Sequence, residues 1–259
     1  MSPLLSERWR IALSVDGWAR SSCSRRSGIH GDIQLVKTSA DEASIASLSS
    51  WLTSAKDVRK RIEFSLSNRF CRYAVLAWEP SIRSHEDLDV LAYDAMEPLI
   101  DGPLDDWVIR LSPVRLGRSC VVCAIPNNLI ESLYGACQSA RSSVASISPL
   151  LPMALNKWMK SSEGGNHVFA CVESDHLLAL GVEQGEFLWV RAFTTPSNLT
   201  DVVPMLLRQQ RIAGQRADAS ISLTIVGDEG GRDWKLLGAK VHVIPGQSPA
   251  SAMLNLECR

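Results

Sequence analysis

The sequence lacks any run of about 18 apolar residues, so no segment is long enough to cross a bilayer as a helix. No secretory leader is expected either, since residues 1–10 carry no long apolar stretch before their charges. Any association with a membrane is therefore expected to come through a partner. A basic stripe with interleaved aromatics is missing too. The formal net charge is −1, and Arg20, Arg25 and Arg26 form too sparse a cluster to track a phosphate backbone, so no nucleic-acid partner is expected. The GxSxG elbow, the GxxxxGK[ST] phosphate loop and the HExxH zinc pair are all absent.

What is present describes an ordinary globular chain. With 46% hydrophobic and 21% charged residues, 259 residues can fill a packed core, as one large domain or two lobes. Seven cysteines (23, 71, 120, 123, 137, 171 and 258) are an odd number in mostly apolar surroundings, which suggests reduced core thiols rather than a disulfide framework. Cys120 and Cys123 form a CxxC, but the flanking Val121-Val122 and Ala124-Ile125 read as a strand. Residues three apart on a strand face opposite ways, so the pair does not chelate together. No second CxxC or paired histidines complete a metal site.

Hydrophobic periodicity gives the element order. Residues 10–17 and 32–38 read as strands, the first ending in an Asp16-Gly17 turn, with a Ser/Arg-rich strand or loop between them. Ile45, Leu48, Trp51 and Leu52 then fall at helical spacing, with Ser39 or Asp41 placed as cap. Residues 61–67 alternate as a half-buried strand, with Ile62, Phe64 and Leu66 inward. Residues 68–78 are extended or begin with a short helical turn. A helix over 86–99 turns Leu88, Leu91, Ala95 and Leu99 inward. Strands follow at 107–112 and 120–125. Asn127 is placed to cap a helix that buries Leu129, Ile130, Leu133, Ala136 and Cys137. A strand at 144–148 and a helix ending near Trp158 complete the first half.

Residues 161–166 (SSEGGN) read as a linker. Three strands then follow in close succession, at 167–173, 176–183 and 186–194, joined by hairpin turns. A helix over 201–213, strands at 221–227 and 240–245, and a short helix at 233–237 finish the chain. Both halves thus open with three strands and a helix, which predicts a duplicated α/β fold with a first lobe over 8–160 and a second over 166–259. Each lobe is expected to be a mixed sheet flanked by helices.

That duplicated order is the one used by actin-like (RNase H-like) and sugar-kinase-like ATPases. Residues 61–78 (RIEFSLSNRFCRYAVLAW), 124–158 and 167–194 resemble, more narrowly, the PilM-type proteins of type IV pilus assembly and the cytoplasmic domains of GspL-type secretion proteins. The shared features are loose hydrophobic patterns over roughly residues 8–245. GspL-type proteins carry a membrane helix after this domain. The sequence here ends at Arg259 without one, so the PilM-type arrangement is the expected one.

An ATPase of this kind needs two glycine-bearing hairpins to bring backbone N–H groups against phosphates, and a glycine turn against the adenosine. Asp16 and Gly17 are the candidates for the first hairpin, although an Asp-Gly pair is also common hairpin material. Trp18 follows them, and its ring is expected to obstruct a phosphate. The second hairpin, Glu173-Ser174-Asp175-His176, has no glycine, and its carboxylates are expected to repel phosphates. Gly227, Gly230 and Gly231 are the candidates for the adenosine turn.

Other constellations read as structural. Glu86-Asp87 suits a helix start and Asp105-Asp106 a solvated turn. His176 and His242 lie in strand patterns. Trp51, Trp107 and Trp158 are expected in the core, while Trp18, Trp189 and Trp234 are less constrained: burial is the default expectation for them, and lining a partner groove is the alternative.

With one phosphate hairpin lost, the expectation is a non-enzymatic protein with no catalytic residue, no metal and no cofactor. An active ATP-binding ATPase or small-molecule kinase is the alternative. The resemblance implies a cytoplasmic assembly protein beside the inner membrane, bound to the cytoplasmic tail of a bitopic PilN-like protein. It assigns no partner-binding residues and leaves a homodimer open.

Overall fold

The computed structural model describes residues 8–23, 33–38, 41–54, 60–114, 117–161, 165–196, 199–216, 219–227, 239–244 and 248–256. Gly230, Gly231, Trp234, the expected helix at 233–237 and residues 162–164 of the expected linker lie outside them. The first lobe runs β1 (Arg8–Ser14), β2 (Gly17–Cys23), β3 (Gln34–Lys37), α1 (Asp41–Ser54), β4 (Arg61–Leu66), β5 (Arg72–Leu76), α2 (His85–Met96), β6 (Trp107–Leu111), β7 (Cys120–Pro126), α3 (Asn127–Ser139), β8 (Ser143–Pro149) and α4 (Leu150–Ser161). The second runs β9 (Asn166–Glu173), β10 (His176–Glu183), β11 (Glu186–Thr194), α5 (Val202–Ile212), β12 (Ser220–Val226), β13 (Lys240–Ile244) and α6 (Pro249–Leu256).

The duplication is explicit in the strand order. The first sheet is β3-β2-β1-β4-β8 and the second is β11-β10-β9-β12-β13. In each, three antiparallel strands are followed by two that run parallel to the first: β1 pairs parallel with β4, and β4 with β8, just as β9 pairs with β12, and β12 with β13. Parallel strands require crossovers, and α1, α3 and α5 lie in those from β1 to β4, β4 to β8 and β9 to β12. Strands β5, β7 and β6 form a third, antiparallel sheet. It is an insertion between β4 and α3, and α2 packs against it.

Local sequence explains most of these elements. Ile62, Phe64 and Leu66 turn inward as their alternation predicts, but Ser65 is buried as well, because β4 is a central strand covered on both faces. Glu63 on β4 holds Arg8 at 2.9 Å and Arg10 at 3.3 Å on the neighbouring strand. Ser84 and Asp87 form a reciprocal capping box at the start of α2. A short 3-10 turn, Asn68–Phe70, precedes the extended β5, so residues 68–76 hold both of the conformations expected for them.

Two local expectations fail. The first residue outside α3 is Pro126 rather than Asn127, whose amide donates along the helix to Glu131 at 2.9 Å. Proline's fixed φ suits that entry without a side-chain cap. On α2 the buried face is Leu88, Ala92 and Met96, whereas Leu99 is 43% exposed, because the helix tightens into a 3-10 turn at Glu97–Leu99 and rotates the last side chain outward. The tryptophans follow the default of burial to different degrees, those expected in the core packing at its margin. Trp18 is fully buried and Trp189 almost so, while Trp51, Trp107 and Trp158 are half-buried. Trp18 and Trp51 stack with ring centroids 4.9 Å apart, and the Arg20 guanidinium lies 4.9 Å from the Trp9 and Trp51 rings.

Helix α6 follows β13 of the second lobe yet packs on β1 and β2 of the first sheet, and α4 in turn touches β9. One apolar cluster therefore runs from Ile11, Leu13 and Phe64 through Leu150 and Met253 to Phe169 and Leu180. A second cluster lies between the other face of the second sheet and α5, and a third under α2. Each Leu-sized side chain buried in such a core contributes roughly 2 kcal/mol. The lobes are thus fused through a common interior.

Candidate functional site at the interlobe junction

Ligands of open α/β sheets gather at the carboxyl ends of parallel strands. Here β1, β4, β9 and β12 end in Ser14, Leu66, Glu173 and Val226, and the expected hairpins and glycine turn follow three of these ends.

Asp16 and Gly17 form the turn from β1 to β2. Asp16 accepts from Ser14 Oγ at 2.6 Å, and its carbonyl accepts from the Thr38 N–H at 2.9 Å. Gly17 has φ +146°, and a Cβ there would lie 2.1 Å from the carbonyl oxygen of Val36. The close approach that requires glycine is to the chain's own β3. Trp18 does not obstruct this loop, contrary to the expectation. Its ring points into the core and donates to Ser47 Oγ at 3.3 Å, since the strand period carries residue 18 to the buried face.

Gly227 behaves alike. It sits at φ +79°, its N–H donates to the Ile244 carbonyl at 3.2 Å, and a Cβ would lie 2.6 Å from the nitrogen of Pro249. The entry to α6 occupies the space that this glycine leaves open. A contact inside the fold thus accounts for each of the two described glycines.

The second hairpin holds the most polar part of the junction. Glu173 closes β9 with its side chain turned inward and 2% exposed. Its carboxylate accepts from Ser67 Oγ at 2.5 Å and from the Asn68 N–H at 3.0 Å, both just past β4 in the first lobe. Burial pushes the Glu173 carboxyl up to about 7, and the bonds from Ser67 and Asn68 and the charge of Arg69 pull against that rise. Asn68 Oδ1 in turn accepts from the Tyr73 hydroxyl and from the Leu151 N–H, each at 2.8 Å. One asparagine therefore ties β5, the start of α4 and the second lobe together. At the surface of the same contact Arg69 meets Asp175 at 2.6 Å.

The carboxylates of this hairpin are thus bound to the first lobe. Glu173 already holds two donors that face the junction, and Ser174 makes the turn at φ +38° without a glycine. A further clamp joins the second lobe to the insertion. Glu186 accepts from the Ser119 N–H at 2.8 Å and from its hydroxyl at 2.9 Å, and pairs with Arg118.

The buried cysteines are held as thiols. The hydrogen bond with Cys123, and then burial, push the Cys71 thiol well up, and burial does the same for Cys171. Burial pushes Cys137 up to about 11. Cys120 and Cys123 both lie on β7, the first buried and the second half-buried. Among the described residues no group of three or more His, Cys, Asp or Glu side chains could hold a metal ion. His242 is exposed on β13. Burial, followed by the charges of Arg69 and Arg72, holds His176 below its ordinary value.

Ser67, Asn68 and Arg69 were not predicted as site residues. Their one sequence signal is a polar triplet directly after an apolar strand, and nothing local says what it meets 105 residues later.

No family model and no curated protein matches the sequence. Solved structures do. The chain is similar to a Bacteroides thetaiotaomicron protein of actin-like ATPase fold and unknown function, at 14% identity over 98% of this chain and 96% of that one, with a TM-score of 0.63. It is similar to the cytoplasmic domain of EpsL, an inner membrane component of the type II secretion system of Vibrio cholerae, at 12% identity over 97% and 94%, with a TM-score of 0.60. It is also similar to a chain of a PilM–PilN type IV pilus biogenesis complex, at 13% identity over 96% and 97%, with a TM-score of 0.65. The fold is the actin-like ATPase fold, with the duplicated mixed sheets read from the sequence.

Proposed function

We propose that this chain is a non-enzymatic assembly protein of a type IV pilus or type II secretion-like machine. In this reading it works at the cytoplasmic face of the inner membrane and binds the cytoplasmic tail of a bitopic PilN-like protein. The observation that carries the reading is Glu173. An ATPase of this fold needs backbone N–H groups free at the second hairpin. Here a carboxylate stands at that hairpin and takes up the Ser67 hydroxyl and the Asn68 N–H. The shared interior across the lobes also resists the opening that would admit a nucleotide. The likeness to the PilM–PilN and EpsL structures supports the machine, and the absence of a long apolar helix among the described residues suits attachment through a partner. An extended tail would be held as an added strand or in a lobe groove.

Two measurements test this. The cytoplasmic peptide of the bitopic protein encoded beside this chain should bind the purified protein in titration calorimetry, and no binding would sink the partner assignment. ATP with magnesium should give no heat at micromolar protein. A low-micromolar dissociation constant would favour the ATPase or kinase alternative.

A further inference from the structure

Among the described residues the two most exposed large apolar side chains are Ile212, 62% exposed, and Val90, 60% exposed. Each stands on the solvent side of a helix. Val90 lies on α2, which packs its other side on the third sheet, and Ile212 closes α5, which packs on the second. A single exposed apolar residue is ordinary, but these two differ in what surrounds them. Tyr93, Asp94 and Glu97 follow Val90 on one stripe, at i+3, i+4 and i+7, and Tyr93 is 42% exposed. Residues 79–106 carry nine carboxylates and one arginine. Beside Ile212 stand Arg208 and Arg211, both exposed, and residues 202–216 carry three arginines and no carboxylate. Arg191 reaches the same helix from β11, donating to Gln209 at 3.3 Å. Among the described residues no cation pairs with Asp94 or Glu97, and no carboxylate pairs with Arg208 or Arg211.

We propose that the α2 face of one copy of this chain docks on the α5 face of a second copy. Val90 and Tyr93 then lie against Ile212, and Asp94 and Glu97 lie among Arg208 and Arg211. Charge complementarity selects the occupant. Each face needs an apolar contact ringed by charges of the opposite sign, and the other face of the same chain supplies both. The chain as a whole nets −1, so two copies meet little overall repulsion while each presents two poles of opposite sign. The apolar centre excludes water, and the surrounding ion pairs set the orientation and the rate of encounter. Two short helices make a small contact, so the dissociation constant is on the order of 10–100 µM. The contact is independent of the assembly role, because it uses neither the interlobe junction nor the tail of another protein.

Sedimentation velocity of the full chain tests it, at about 100 µM protein and in salt from about 20 to about 500 mM, where screening shortens the reach of each charge roughly fivefold. Association is expected at low salt and should weaken by at least about tenfold at high salt. Val90→Ser and Ile212→Ser leave the net charge alone, and each should weaken association about threefold or more. A chain carrying Asp94→Lys and Glu97→Lys should stay monomeric, and so should one carrying Arg208→Glu and Arg211→Glu. An equal mixture of these two chains should associate as the parent does, since reversed face then meets reversed face and native meets native. Lys160→Glu, an exposed cation on α4, should leave association within about twofold. Every substituted position is exposed, so the melting temperatures should hold. A parent chain that is monomeric at low salt overturns the proposal. So does association that either charge-reversed chain keeps, association indifferent to both serine substitutions, or a mixture that stays monomeric.

Discussion

The carboxylate of Glu173 and the hydroxyl of Ser67 meet across the interlobe junction at 2.5 Å, the hydroxyl donating. The junction is buried, so the protonated and charged forms of Glu173 differ in cost. Burial raises its pKa to about 7, against a usual value near 4.5. The folded state therefore binds more protons than the unfolded chain between those values, and its stability falls as pH rises from about 4.5 to about 7.

Glu173→Gln should remove that slope. The neutral amide still accepts from Asn68 and keeps the shape of the site. Melting temperature measured from pH 4.5 to 8 should flatten in the variant, and above pH 7 the variant should gain on the parent by roughly 3 kcal/mol at most. A variant that keeps the slope would show that another group titrates.

Asp175→Asn is the contrasting case. Its pair with Arg69 is open to water, with the Asp175 side chain 62% exposed. The substitution should change stability by less than about 1 kcal/mol in urea unfolding. A larger loss would mean that the surface contact, and not the buried one, holds the lobes.

Asn68→Ala removes the acceptor shared by Tyr73 and the start of α4 while leaving both donors buried. Each orphaned donor costs about 1–3 kcal/mol, so the loss should exceed 2 kcal/mol in denaturant unfolding. The Asn68 N–H bond to Glu173 comes from the backbone and survives the change.

Gly181→Ala tests a packing contact far from the junction. The Trp189 ring covers Gly181 so closely that a Cβ would lie 2.1 Å from Nε1, and that Nε1 donates to Gln215 at 3.1 Å. The methyl group should displace the ring at a cost of about 1–3 kcal/mol and red-shift its fluorescence. In a Trp189→Ala background the same substitution should cost far less, and additive losses would rule out the contact.

The duplicated fold was legible because it rests on periodicity. Strand alternation at 61–66, hairpin turns at 174–175 and 184–185, and the repeat of three strands and a helix all encode local geometry. The sheet order and the parallel pairing follow from them. Helix α6 escaped notice because its PASAMLNL segment is short and apolar nearly all round, and so gives no amphipathic period. The site was legible only in part. The missing glycine at Ser174-Asp175 drew attention to this hairpin, but Glu173 was read only as a carboxylate that would repel phosphates, not as one bound to the first lobe. Its partners lie in the other lobe, and no local pattern predicts a contact of that span. Trp18 misled for the same reason: its neighbours in sequence suggested an open loop, and its neighbours in space are Trp51 and Ser47.

The return of α6 to β1 and β2 bears on how the chain is made. Strands β1 and β2 cannot finish their own core until α6, made much later, arrives. During synthesis the first sheet must wait with Ile11, Leu13 and Trp18 incompletely covered, a state that invites chaperones and premature association. A folding intermediate with the second lobe closed and the first still open is the natural consequence, and stalling translation before residue 249 should trap it.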